Sequence, residues 1–300
     1  MNLYQLKNNT FKELLEKPFK LERDIQILFE SNLEAIMGLT LVRSEFSIKS
    51  KRIDTLAYDK QSNAFIIIEY KRDRSLSVVD QGFTYLSLML ENKADFIVEY
   101  NENLGKTLKR ESVDWSQTRV VFVSTSFTEN QILATNFKDI AIELWVISKY
   151  EGDLISINSI KKTKGAESIK PITQQNLKLK KVIDEIKVYT EEDHVFKASD
   201  EIAELYEKFK SAILSLAEGI EVKPLKLYIA FKKDKNIVDI TLQRNSIKLF
   251  INAKWGALKD PLEITRDVSK IGHWGNGDYQ AQIENDNNLE YLMSLVKQVI

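Results

Sequence analysis

No cysteine occurs in the chain, which excludes disulfides, thiolate nucleophiles and cysteine-ligated zinc. Only two histidines are present, His194 and His273, and their wide separation leaves little material for a histidine-rich metal site. Any metal must therefore be held by oxygen. No apolar run approaches the ~18 residues of a membrane helix, and none follows the opening MNLYQLKNNTFKELLEK, so neither membrane insertion nor secretion is supported and a cytoplasmic location is expected. A large positive excess is missing too. The formal net charge is -1, without the basic surplus by which many nucleic-acid-binding proteins announce themselves. Charge is nevertheless unevenly spread: residues 225–259 hold eight Lys or Arg against two Asp, and residues 260–290 two against seven. A local positive field is compatible with the neutral total.

What is present suits a packed protein. The 300 residues are 43% apolar, enough for about two domains at ~100 to 200 residues each. Residues 21–37 (LERDIQILFESNLEAIM) carry Leu21, Ile25, Leu28, Phe29, Leu33 and Ile36 on one stripe at ~100° per residue, which predicts an amphipathic helix after Pro18. Strand-like runs follow at 39–48, 51–59 and 64–71, then a helix at 76–91, a strand at 119–125, a helix at 127–137 and a strand at 140–148. This order predicts a mixed α/β domain over residues 1–150. Residues 151–198, rich in Lys, Ser and Gln, read as a linker. From Ser199 a second, smaller α+β domain is expected to run to residue 300: a helix with Ile202, Leu205, Phe209, Ile213 and Leu216 at helical spacing, three alternating strands, a glycine-rich turn (GHWGNGDY) and a closing helix.

The stretch IIIEYKRDRS (66–75) breaks the pattern. Three isoleucines read as buried strand, yet the strand runs into Glu69 and Lys71, two residues apart and so on one face. An Asp/Glu-x-Lys tripeptide means little alone in a chain that is 29% charged, and four occur, but only this one ends a strongly apolar strand. On its own it reads as a salt bridge at a sheet edge. Asp54, in the preceding strand RIDTLAYD, adds weight, because hairpin pairing brings Asp54 towards Glu69. Two such charges at ~5 Å and an effective dielectric of ~20 repel by roughly 3 kcal/mol. A hard divalent cation is the natural counter-charge for a carboxylate pair plus water and phosphate oxygens, and Mg²⁺ prefers that set.

Further polar groups fall on buried faces. With Glu22 as origin, Phe29 lies at about -20° and Leu33 at about +20°, so Glu22 falls inside the apolar stripe, flanked by Gln26 at about 40°, while Glu30 lies at about 80°. Glu22 is therefore the expected helix acid and Glu30 the alternative. An ordinary first-turn acid favoured by the helix dipole is the competing reading of Glu22. Gln81 and Tyr85, one helical turn apart, lie within or beside the buried stripe of the second helix and can hydrogen-bond a phosphate or a carboxylate.

The series of helix Glu, RID (52–54), EYK (69–71) and QGFTY (81–85) resembles the PD-(D/E)XK nuclease superfamily, in the RecB-like branch with a Gln-xxx-Tyr helix. The resemblance covers roughly residues 20–148 and implies a restriction-endonuclease-like mixed sheet flanked by helices. It implies that Asp54 and Glu69 bind Mg²⁺ (or Mn²⁺), with the Tyr70 carbonyl as a further ligand. Lys71 would orient or deprotonate the attacking water, Glu22 would be an outer or second-metal ligand, and Gln81 and Tyr85 would support the site or the scissile backbone. Ile53 stands where the family's named Pro-Asp pair has proline. Residues 200–300 resemble a domain of unknown function that accompanies such nuclease-like domains.

The implied activity is hydrolysis of nucleic acid, with DNA as the expected partner and a homodimer expected if both strands are cut. The alternative is a nucleic-acid-binding or adaptor protein without turnover. KRDR (71–74) and KSKR (49–52), through Arg72 and Arg52, are placed to steer a phosphate backbone, although charge runs in turns are usually solvated. Lys232, Lys233, Lys235, Arg244, Lys248, Lys254 and Trp255 read either as a basic, aromatic nucleic-acid face or as a plain charged sheet surface.

Overall fold

The computed structural model describes residues 3–300 apart from 72–77, 164, 174–175, 234 and 273–274. The chain divides into two compact units, Met1–Val188 and Tyr189–Ile300.

The first unit opens with a hairpin of β1 (Leu3–Lys7) and β2 (Thr10–Leu14), turned at Asn8 and Asn9, both with left-handed φ. There follow β3 (Glu16–Lys17), α1 (Glu22–Ser31), α2 (Leu33–Met37), β4 (Thr40–Ile48), β5 (Lys51–Asp59), β6 (Ala64–Lys71), α3 (Val78–Glu91), α4 (Lys93–Leu104), β7 (Arg119–Ser124), α5 (Glu129–Thr135), β8 (Ile142–Tyr150), β9 (Ile155–Ile160), α6 (Lys170–Thr173) and α7 (Leu177–Glu185). The main sheet runs β3-β8-β7-β6-β5-β4, with β9 also on β8. β4, β5 and β6 are antiparallel neighbours, whereas β6, β7 and β8 run parallel. This is the mixed, helix-flanked sheet that the element order predicts.

Because β6 is central, both its faces are covered, and its isoleucine run is buried throughout. One face packs under α1 and α2 through Ile25, Phe29 and Leu33, against Ala57, Ile66, Ile68 and Tyr70. The other packs under α3 and α4 through Leu86, Met89 and Phe96, against Phe65, Ile67 and Phe122. Gly82 lets α3 come close: a Cβ there would lie 2.5 Å from Ile142 Cδ1.

Three expectations are corrected. Residues 21–37 form two helices, because the chain leaves helical geometry at Asn32 (φ -125°, ψ 16°). Residues 151–188 are not a linker: β9 extends the sheet, and Ile169, Val182, Ile183 and Ile186 are buried in the first unit's core. Residues 189–198, also read as linker, belong to the second unit. The N-terminal hairpin and α4 go beyond the elements that periodicity predicts.

The second unit comprises α8 (Glu191–Val195), α9 (Asp200–Ser215), β10 (Glu221–Pro224), β11 (Ile229–Lys232), β12 (Asn236–Leu242), β13 (Ile247–Ile251), β14 (Arg266–Asp267), β15 (Tyr279–Ile283) and α10 (Leu289–Val296). Its sheet, β10-β11-β12-β13-β15-β14, is antiparallel. Ser199 caps α9 by accepting from Ile202 N–H, and Ile202, Leu205, Phe209 and Ile213 are buried as their spacing predicts. Gly277 (φ 83°) permits a tight approach, since a Cβ there would sit 2.1 Å from the Ile251 carbonyl oxygen. His194 is buried and hydrogen-bonds the Leu225 carbonyl at 2.7 Å, a structural role; His273 lies outside the described residues. The suggested basic face is divided, for Lys233 and Lys235 lie in the β11–β12 turn and Arg244 in the turn at the opposite end of β12. No helix among the described residues is long and apolar enough to cross a membrane.

Candidate functional site

The site forms where two paired strands part. The β5–β6 register runs from Asp59 opposite Ala64 to Thr55 opposite Ile68 and stops, although β5 reaches back to Lys51 and β6 on to Lys71. Beyond that point a side chain takes over: the Tyr70 N–H donates to Asp54 Oδ2 at 3.0 Å. On its other edge β6 stays paired with β7 as far as Lys71 opposite Ser124. The end of β6 is thus fixed on one side and opened to carboxylates on the other.

Glu69 is only 4% exposed. Its Oε1 accepts from Lys71 Nζ at 2.8 Å and from Gln81 Nε2 at 2.6 Å. Its Oε2 is buried, and no donor among the described residues reaches it. A buried acceptor left so costs about 1–3 kcal/mol, more when charged, and calls for an explanation. Asp54 answers to the same deficit of positive charge. Burial first, and the charge of Glu69 second, push its carboxyl up to about 7 against the opposing pull of the Tyr70 N–H and Lys71, with Glu45 adding to the rise.

α3 supplies the supporting groups. Gln81 Nε2 also lies 3.1 Å from the Tyr85 hydroxyl, which donates to the Arg52 carbonyl at 3.2 Å. Burial, then the charge of Glu69, hold the Tyr85 phenol above its usual range. Asp54, Glu69, Lys71, Gln81 and Tyr85 are therefore brought together. Tyr70 joins them through its N–H, while its ring is buried edge-on to Phe29 with centroids 5.9 Å apart. The guanidinium of Arg52 pairs with Glu45 at 2.8 Å, and Arg72 lies outside the described residues.

The helix acid needs correcting. Glu22 is exposed in the first turn of α1 and does not join the cluster, whereas Glu30 reaches the sheet and accepts from the Thr55 hydroxyl, which also hydrogen-bonds the Tyr70 hydroxyl at 3.2 Å. The wheel gave both residues an azimuth but no axial position, and eight residues separate them by ~12 Å along the helix. Gln26, on the same stripe, meets Asp54. Buried in the stripe, it donates to the Asp54 carbonyl at 3.0 Å and lies 3.2 Å from Glu30 Oε1 and 3.3 Å from Ser44 Oγ. Glu45 has no such signal, since a charged residue in an exposed strand position looks ordinary.

Among the described residues no group of three or more His, Cys, Asp or Glu is arranged to hold a metal, so an ion here would rest on the Asp54–Glu69 pair. That donor set fits Mg²⁺ or Mn²⁺, because Mg²⁺ usually takes one or two carboxylates and keeps water and substrate oxygens for the rest. The empty Glu69 Oε2 is the atom such an ion would satisfy.

A protein of Haemophilus influenzae described as "Uncharacterized protein" is 52% identical over 300 residues, covering 100% of this chain and 99% of that one. The chain belongs to that protein's family. Residues 191–298 match the model of a domain of unknown function (DUF5655), which agrees with the expected accompanying domain. Two solved structures show a slight likeness: an EndoMS complex with double-stranded DNA (TM-score 0.27, 20% identity, 39% of this chain and 43% of that one) and a repair endonuclease from Pyrococcus abyssi (TM-score 0.24, 19% identity, 43% and 48%). The matched region spans less than half of either of those chains, and at such TM-scores the likeness assigns neither fold nor activity.

Proposed function

We propose that the first unit is a Mg²⁺- or Mn²⁺-dependent phosphodiesterase of PD-(D/E)XK type that hydrolyses nucleic acid, DNA being the expected substrate. The observation that carries this reading is the buried Glu69, with one oxygen held by Lys71 and Gln81 and the other left without a donor beside Asp54. A divalent ion held by Asp54 and Glu69, with the Tyr70 carbonyl as a further ligand, would polarise a phosphate and lower the pKa of bound water.

The chain's own groups divide the remaining work. Lys71, on the same face as Glu69, donates to the attacking water or to charge developing on the phosphate. Gln81 occupies Glu69 Oε1 and so reserves Oε2, a role that supports the Gln-xxx-Tyr branch. Tyr85 ties the start of β5 to α3 through the Arg52 carbonyl, and Gln26 ties it to α1 through the Asp54 carbonyl. Arg52, on the exposed rim, binds a phosphate of the strand. Glu30 keeps Thr55 and Tyr70 in place from the opposite helix. Two copies are expected to act together if both strands of a duplex are cut.

A second reading is a nucleic-acid-binding protein without turnover, favoured by the 2.8 Å Lys71–Glu69 pair, which is also what a purely structural bridge would look like. Incubation with single- and double-stranded DNA in Mg²⁺ or Mn²⁺ separates the two. Cleavage by the wild-type protein, reduced roughly 10²- to 10³-fold or more in Asp54→Ala and Lys71→Ala, is expected. Metal-independent binding with no cleavage by the wild-type protein would replace the first reading with the second.

A further inference from the structure

Glu45 stands in β4 with a φ of 54°, in the left-handed region that non-glycine residues rarely adopt inside a strand. Ser44 pairs with Thr55 and Phe46 with Ile53, so Glu45 and Asp54 are the residues between those two rungs. Its Oε2 lies 2.8 Å from Arg52 Nε, and the two side chains are 42% and 68% exposed. The Arg52 main chain is anchored independently, its carbonyl accepting from Tyr85. The guanidinium can therefore change partner without disturbing β5, and it gives up only an exposed ion pair.

We propose that Glu45 stands in for substrate phosphate: its carboxylate occupies Arg52 in the substrate-free protein, and a phosphodiester of the incoming strand displaces it. The proposal rests on the phosphodiesterase reading and adds a specificity element to it. An exposed carboxylate–guanidinium pair is weak, and a phosphate, like a carboxylate, can accept two parallel hydrogen bonds from arginine, so a phosphodiester is a competent replacement for Glu45. The exchange therefore favours an anion with paired oxygens over a neutral ligand.

The test is a double-mutant cycle read by binding of a short single-stranded oligonucleotide at low salt without divalent metal. Glu45→Gln should bind up to roughly fivefold tighter than the wild-type protein, because the competing pair is gone. Arg52→Gln should bind more weakly, and the double variant no more tightly than Arg52→Gln. Glu45→Asn provides an independent variant, since asparagine tolerates left-handed backbone and removes the charge without added strain. Absence of any gain in both Glu45 variants, or an equal gain with and without Arg52, overturns the exchange while leaving the nucleic-acid reading standing. If no form of the chain binds the oligonucleotide, the nucleic-acid reading falls and the exchange falls with it.

Discussion

Two buried carboxylates, Glu69 and Asp239, are served by their surroundings in opposite ways. Asp239 is fully buried in β12, yet Asn236 Nδ2 reaches its Oδ1 at 2.8 Å, and the Asn276 N–H and Nδ2 reach its Oδ2 at 2.5 and 2.8 Å. Every one of those donors belongs to the fold, so Asp239 ties the glycine-rich turn to the sheet. Glu69 is nearly as buried, at 4% exposure, but one of its oxygens has no donor among the described residues, which is what marks it as a candidate site residue. Burial pushes the Asp239 carboxyl up to about 6 despite its three donors. Its folded value therefore lies above the 3.8 of an ordinary Asp, so its contribution to stability is full below about 3.8 and lost as pH rises through about 6. Urea unfolding of the second unit from pH 4 to 7 should show the wild-type protein losing on the order of 3 kcal/mol relative to Asp239→Asn. A pH-independent difference between the two would contradict this. Of the two, only Glu69 is legible in the sequence, because it follows three isoleucines and the preceding strand carries Asp54. A lone aspartate in NIVDITL carries no comparable mark.

At the scale of elements, strand identity and order could be read from alternation and apolar runs, and the structure returns β4, β5 and β6 nearly as expected. The parting of β5 from β6 could not be read, since it depends on a side chain replacing a ladder partner. Helical periodicity similarly shows which face of α1 is buried but not which turn meets the site, which is why it points to Glu22 ahead of Glu30. Gly82 carries no side chain, and that sets how closely α3 packs on the sheet beside Ile142. In Gly82→Val the added Cβ would lie 2.5 Å from Ile142 Cδ1 and 2.9 Å from Cγ1. Overpacking of this kind costs about 1–3 kcal/mol. A lower urea midpoint, partly restored by Ile142→Ala, is the expected result; a midpoint equal to that of the wild-type protein would contradict the close packing.

For the whole molecule, the boundary falls at Val188/Tyr189 because a segment that adds to an existing core needs only one apolar face. Residues 151–188 look like linker in composition, yet Ile169, Val182, Ile183 and Ile186 suffice to seat them. The family-model match beginning at residue 191 respects that boundary. Every group of the candidate site lies in the first unit, and the proposed phosphodiesterase requires the Asp54–Glu69 pair to accept a cation. The most direct test is a Mn²⁺ titration of the full-length protein followed by electron paramagnetic resonance, with Glu69→Gln alongside. One Mn²⁺ site is expected in the wild-type protein, weakened roughly tenfold or more in the variant; equal binding by both, or no site in the wild-type protein, would contradict a cation held by Asp54 and Glu69.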